Sequence, residues 1–228
     1  MRTARGFALL IAVIAVGALC AIAVAATRTG TEGDDVLLGT AAPDVIEGLG
    51  GDDTIRGFGG DDTIDGGTGA DDIEGDGTCP SGATAAPYFC TPPGGDPGKD
   101  RIFGGKGGDL IHGNGNDDRI DSQGGSDEVS GNGGDDRIDT GTGSDVVNGN
   151  KGADRINSAG AGDIVAGGNS SDRITPGPGK DTVDAGRGAD RIFARDKTRD
   201  TIDCGEGVDL VVADNKDQVS RCETVRRP

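Results

Sequence analysis

The chain has 228 residues, of which 45 are glycine, five phenylalanine, one tyrosine and none tryptophan, with a formal net charge of −18. Low hydrophobicity with charge of one sign is poor material for a globular core and is the signature of a chain that stays open without help. So acidic a balance also argues against nucleic acid or an anionic membrane surface as partners.

Arg2 and Arg5 precede an apolar run from about Phe7 to Ala26, with Ala23-Val24-Ala25 or Val24-Ala25-Ala26 as a small-residue cleavage site. Residues 1–26 therefore read as a secretory signal peptide, and the mature protein as secreted or held at the cell surface. The run is also long enough to span a bilayer, which leaves an uncleaved N-terminal anchor as the alternative.

From residue 30 to 74 a strict period begins. Asp35, Asp44, Asp53, Asp62 and Asp71 stand nine residues apart. Over 95–203 the same step returns through Asp100, Asp109, Asp118, Asp127, Asp136, Asp145, Asp154, Asp163, Asp172, Asp181 and Asp190. Two residues after each aspartate comes Leu, Ile or Val, and glycines fill the interval. One carboxylate and one apolar residue per short unit predicts a solenoid. Asp-Arg-Ile recurs every eighteen residues from 100 to 192, while the units between vary. The structural repeat is therefore two nonapeptides per coil, giving two parallel sheets face to face. Each unit should supply a turn and a three-residue strand whose middle residue points inward.

Two segments break the pattern. Residues 75–94 hold Tyr88, Cys79 and Cys90 and read as a disulfide-closed insertion loop, more simply a tolerated surface insertion than a recognition loop. Residues 204–228 are more apolar and hold Cys204 and Cys222, reading as a cap over the open end. An even cysteine count in an exported chain favours disulfides, and proximity favours Cys79–Cys90 and Cys204–Cys222 over the crossed pairings.

Equivalent aspartates one coil apart should sit about 4.8 Å from each other. Two like charges at that distance repel by about 1 kcal/mol in water and about 3–4 kcal/mol at an effective dielectric near 20. A hard divalent cation between coils reverses the sign, and calcium accepts mixtures of carboxylate and carbonyl oxygen. No thiolate or imidazole cluster competes, since His112 is the single histidine.

Units such as Gly57-Phe58-Gly59-Gly60-Asp61-Asp62-Thr63-Ile64-Asp65 and Gly104-Gly105-Lys106-Gly107-Gly108-Asp109-Leu110-Ile111-His112 resemble the glycine-rich nonapeptide of the haemolysin-type (RTX) calcium-binding repeat. The resemblance spans roughly 30–74 and 95–212. It implies a right-handed parallel β-roll in which the sixteen aspartates named above bind several Ca2+ together with turn carbonyls, Asp200 and Asp209 being weaker members. It also likens the end of the chain to the cysteine-closed cap of exported actinobacterial members. Glycine is replaced in many turns, by Leu49, Phe58, Asn114, Gln123 and Asn132 at the second position and by Ala42, Asn116, Ala161 and Ser170 at the fourth. Ser122-Gln123 and Pro176 should distort further turns, and one extra residue before Asp200 breaks the register.

Arg101, Arg119, Arg137, Arg155, Arg173 and Arg191 should form an outward stripe, either a binding face for an anionic surface or matrix polymer or, more simply, a ladder neutralised by Asp117, Asp121, Asp135 and Asp139. Leu110, Val146 and Ile164 should face outward from the other sheet and His112 should be solvent-exposed. Catalytic motifs are lacking, so a non-enzymatic, structural or adhesive calcium-binding role is expected. The alternatives are a ligand-binding module using the Tyr88 loop or the arginine stripe, and ice adhesion, disfavoured because outward residues mix Arg, Asp, Thr and Val.

Overall fold

The computed structural model describes residues 25–76 and 98–228. The predicted signal segment up to Val24 and the predicted Cys79–Cys90 bridge with Tyr88 lie outside the described residues. The described chain is all β, a parallel solenoid of about ten turns with no helix.

Successive strands alternate between two parallel sheets. One sheet begins with Thr27–Thr29, Val45–Glu47, Thr63–Thr68 and Arg101–Lys106 and ends with Thr224–Arg226. The other begins with Val36–Leu38, Thr54–Phe58, Asp72–Asp76 and Leu110–Gly115 and ends with Gln218–Ser220. The register is the eighteen-residue period, so each residue type stacks on itself: Arg137 pairs with Arg119 and Arg155, and Ile138 with Ile120 and Ile156. The insertion leaves this stacking intact, with Thr63 pairing Arg101 and Asp72 pairing Leu110.

Side-chain alternation then builds the core from one residue per unit. Ile102, Ile120, Ile138, Ile156, Ile174 and Ile192 stack in one row and Ile111, Val129, Val147, Val165 and Val183 in the other, all at most 2% exposed. Burial of a single aliphatic side chain stabilises each unit by about 1.5–3 kcal/mol. That is little for nine ordered residues, so hydrogen bonding between coils must carry much of the rest.

Three expectations are corrected. Strands of the second sheet reach six or seven residues, as in Leu110–Gly115 and Thr182–Gly188, because parallel pairing resumes beyond the turn residue, with Asn114 opposite Asn132. Three-residue strands persist in the first sheet at Arg137–Asp139, Arg155–Asn157 and Arg173–Thr175, where Thr140, Ser158 and Pro176 follow. There the fully buried Ser122, Thr140 and Ser158 hydroxyls each donate 3.2 Å to a carbonyl one coil on, of Thr140, Ser158 and Pro176 respectively. Secondly, the distortion expected at Ser122-Gln123 is not seen, and most glycine replacements keep the left-handed turn. Leu49, Phe58, Asn114, Gln123 and Asn132 keep φ between 68° and 85°, and Asn116, Ala161 and Ser170 between 67° and 86°. A left-handed backbone costs a non-glycine residue roughly 1–2 kcal/mol, which the coils on either side sustain. Thirdly, His112 is half-buried, paired in register with Glu74.

The extra residue before Asp200 is absorbed in the turn, where Lys197 takes φ 79° and pairing resumes with Thr182 opposite Thr201. The Cys204–Cys222 disulfide closes the C-terminal end, with Cys204 fully buried and Cys222 packed on the core. Thr224–Arg226 pairs with Leu210–Ala213, and Arg227 donates to the carbonyls of Asp214 and Asp217.

Candidate metal centre

All sixteen predicted aspartates line the two edges where the chain passes between sheets. Asp44, Asp62, Asp100, Asp118, Asp136, Asp154, Asp172 and Asp190 follow one edge; Asp35, Asp53, Asp71, Asp109, Asp127, Asp145, Asp163 and Asp181 follow the other. Except for Asp35, which is half-buried, each is at most 3% exposed.

Each carboxylate divides its two oxygens. Oδ1 accepts the backbone N–H of the equivalent aspartate one coil earlier: Asp100 donates to Asp118 at 2.8 Å, Asp118 to Asp136 at 2.8 Å and Asp136 to Asp154 at 2.8 Å. The other edge repeats this from Asp109 to Asp127 at 2.9 Å and onward. The insertion does not interrupt either column, since Asp62 donates to Asp100 and Asp71 to Asp109, both at 2.9 Å. The aspartate carbonyl also accepts the N–H that starts the equivalent strand one coil later, as from Arg119 to Asp100 at 2.9 Å. These bonds to an ionised acceptor are among the stronger ones available to a backbone amide.

Oδ2 is left over. In fourteen of the sixteen it is buried and without a hydrogen-bond partner. The two exceptions open the coil: Asp35 Oδ2 accepts the Thr31 N–H at 2.6 Å, and Asp44 Oδ2 accepts the Thr40 N–H. A buried, unpaired carboxylate oxygen is costly, and a column of them is costlier still. Burial pushes several of these carboxyls up, against the opposing effect of the N–H bond and with neighbouring aspartates adding to it. Asp62 and Asp118 rise to about 8, and Asp100, Asp136, Asp172 and Asp181 to about 7.

The surroundings of Oδ2 fit a hard cation. A Cβ on Gly48 would lie 2.3 Å from Asp53 Oδ2 and 2.2 Å from the Gly66 carbonyl oxygen, so both oxygens border the space over that glycine. Gly149 repeats the arrangement with Asp154 Oδ2 at 2.3 Å and the Gly167 carbonyl oxygen at 2.6 Å. Carboxylate and carbonyl oxygens converging without nitrogen or sulfur are the donor set of calcium.

Sequence reasoning missed two members, Asp217 and Glu223, and a neighbour, Asp76. Asp200 accepts from Asp181 at 3.0 Å and itself donates to Asp217 at 3.1 Å, while Asp209 accepts from Asp190 at 2.8 Å and donates to Glu223 at 2.9 Å. Asp217 and Glu223 thus terminate the columns, although shorter spacings of 17 and 14 residues hide them from a nine-residue count. Asp76, outside the repeat, is buried beside Asp62, Asp100 and Asp118. It accepts the Gly98 N–H at 2.9 Å, its Oδ2 is unpaired, and burial raises it to about 6.

The divided carboxylate predicts different outcomes for two substitutions. Asp136→Asn keeps an oxygen for the Asp118 amide and should fold at high calcium with one binding position weakened. Asp136→Ala loses the acceptor too and should cost about 1.5–3 kcal/mol more in calcium-saturated chemical denaturation. The raised carboxyls predict a pH dependence. A folded-state value above the ordinary 3.8 means that the metal-free coil binds more protons than the open chain. This stabilisation is complete below about pH 4 and is lost as pH rises through about 6 to 8. In chelator, far-UV circular dichroism should therefore show more β structure at pH 5 than at pH 8, and the difference should vanish in calcium.

The family model for the RTX calcium-binding nonapeptide repeat (4 copies) matches residues 29–57, 38–73, 59–77, 94–129, 130–165 and 159–192, together more than half of the chain. No curated protein matches. Nonapeptides of this kind bind Ca2+, and the buried aspartate columns described above agree with that chemistry. With its eighteen-residue coil, paired edges and matched repeats, the chain belongs to the RTX calcium-binding nonapeptide repeat family.

Proposed function

We propose that the protein is an exported roll that folds on calcium outside the cell and serves there as a structural or adhesive element. The observation that carries this is the column of buried, partnerless Oδ2 atoms, which above the pH range where they protonate a chain of this charge tolerates only when a cation neutralises it. The ions would sit between coils, held by Oδ2 of Asp53, Asp62, Asp71 and the aspartates from Asp100 to Asp190, with turn carbonyls completing the shell. Asp35 and Asp44 contribute less, because Thr31 and Thr40 already satisfy their second oxygen. Export rests on the apolar segment within residues 1–26, and proteins built of these repeats are generally extracellular. The roll is typically structural or binding rather than catalytic, so no reaction is assigned to it. Far-UV circular dichroism through a calcium titration starting from chelator should show a calcium-specific gain of β structure that magnesium does not reproduce. A full β spectrum in chelator at pH 8, unmoved by calcium, would overturn the proposal.

A second reading adds an anionic polymer as partner. The six stacked arginines are all exposed, and among the described residues none forms an ion pair with a carboxylate. Asp117, expected to neutralise them, pairs with Lys99 instead, whereas Asp121 lies close enough to Arg119 and Arg101 to feel their charge. Arg101 and Arg173 lie over Phe103 and Phe193, at 4.9 and 4.2 Å from the ring centroids. A row of like charges at sheet spacing is unfavourable by itself and is relieved by a polyanion laid along it. Changing Arg119, Arg137 and Arg155 to Gln should abolish retention on an anionic polysaccharide column at low salt without lowering thermal stability. Unchanged retention would end this reading.

A further inference from the structure

The extra residue before Asp200 brings an aspartate into a turn position that, on this edge, otherwise supplies a neutral carbonyl. In earlier coils the N–H two residues before the column aspartate donates to a turn carbonyl one coil on. Gly107 bonds Gly124 at 3.0 Å, Gly125 bonds Thr142 at 2.9 Å, Gly143 bonds Gly160 at 3.4 Å and Ala161 bonds Pro178 at 3.1 Å. At Gly179 the same N–H turns to Oδ2 of Asp196 at 3.1 Å. The Lys197 carbonyl, displaced by the added residue, accepts Lys216 Nζ at 2.9 Å instead.

Asp196 is held firmly. Its Oδ1 accepts the Thr198 N–H at 2.8 Å and its Oδ2 accepts the Thr198 hydroxyl. It faces two members of the column: carboxylate oxygens of Asp181, Asp196 and Asp200 all lie within 4.8 Å of one another, the only such trio among the described residues. Asp181 and Asp200 are 1% and 0% exposed, and the Oδ2 of each has no hydrogen-bond partner. Calcium–oxygen distances of about 2.3–2.6 Å allow one ion to touch oxygens up to about 5 Å apart.

We propose that Asp181, Asp196 and Asp200 form a three-carboxylate calcium site near the disulfide-closed end, distinct in composition from the repeat positions and tighter than they are. It rests on the calcium reading above and adds to it a non-repeat ligand and an order of filling. A third formal charge raises affinity for a hard cation, since charge count is what tunes oxygen sites of this kind. Among the described residues no other three carboxylates approach one another so closely, so this site fills first. Coil formation then propagates from the C-terminal end, as nearest-neighbour coupling in a solenoid allows.

The test is calcium titration of the purified protein by isothermal calorimetry, with bound ions counted by equilibrium dialysis. Asp196→Asn keeps an acceptor for Gly179 and should remove or weaken at least tenfold one ion of the tightest class, leaving the other ions and the calcium-saturated β spectrum in place. Thr198→Ala, which frees Asp196 without touching its charge, should weaken the same ion about threefold and gives the readout should the first variant not fold. If the tightest ion is unchanged in both variants while total binding stays normal, the inference is overturned and the calcium reading stands. If the unaltered protein binds no calcium, both fall together, and that result precedes any variant.

Discussion

The stacking of the coils depends on how each column aspartate divides its two carboxylate oxygens. One oxygen is bound into the backbone by the amide of the preceding coil, and that bond fixes the carboxylate in a buried position where side-chain motion cannot relieve its charge. The other oxygen is left without a donor. A group that only stabilised the coil would have both oxygens satisfied; a group that only bound metal would be free to swing into solvent. Under the proposed function the fold and the cation are interdependent, because the bond that orders the coil also prepares the unpaired oxygen.

The ends of the columns follow from the same constraint. At the N-terminal end Thr31 and Thr40 supply the missing donors, so the second oxygens of Asp35 and Asp44 are satisfied within the chain. At the C-terminal end Asp217 and Glu223 continue the acceptor role from a non-repetitive sequence, and the Cys204–Cys222 bridge ties that sequence to the core. A solenoid coil leaves both neighbours' edges exposed unless something terminates them. Here the termination is by hydrogen-bond acceptors matched to the last column amides.

Between the ends, the core asks little of the sequence and the turns ask much. One Ile or Val per unit fills the interior, whereas most turns take left-handed backbone at one or two positions whichever residue stands there. Gly143 illustrates the demand, since a Cβ there would lie 1.3 Å from the Gly125 carbonyl oxygen. Ala161 illustrates the tolerance, keeping φ 86° at the same place in the next coil of that edge. Stacking on both sides enforces the turn and makes single replacements affordable.

Periodicity alone was enough to determine the parallel solenoid, the two-unit coil, the inward Ile and Val rows, the outward arginine stripe and the edges occupied by the sixteen aspartates. These follow from a period that holds for one residue type at a time, which strand alternation translates directly into faces. Only the tertiary structure decided which carboxylate oxygen belongs to the backbone, that Thr31 and Thr40 satisfy the first two aspartates, that Asp217 and Glu223 end the columns and that Asp76 lies beside one of them. It also decided that Asp196 faces Asp181 and Asp200 and that no arginine of the stripe closes an ion pair among the described residues. The physical reason is that these contacts join residues at irregular separations, through an insertion, an added residue and a terminal strand. The sequence carries the repeat as a period, but it carries the places where the period fails only as residues whose neighbours are set by the folding of the coils on either side.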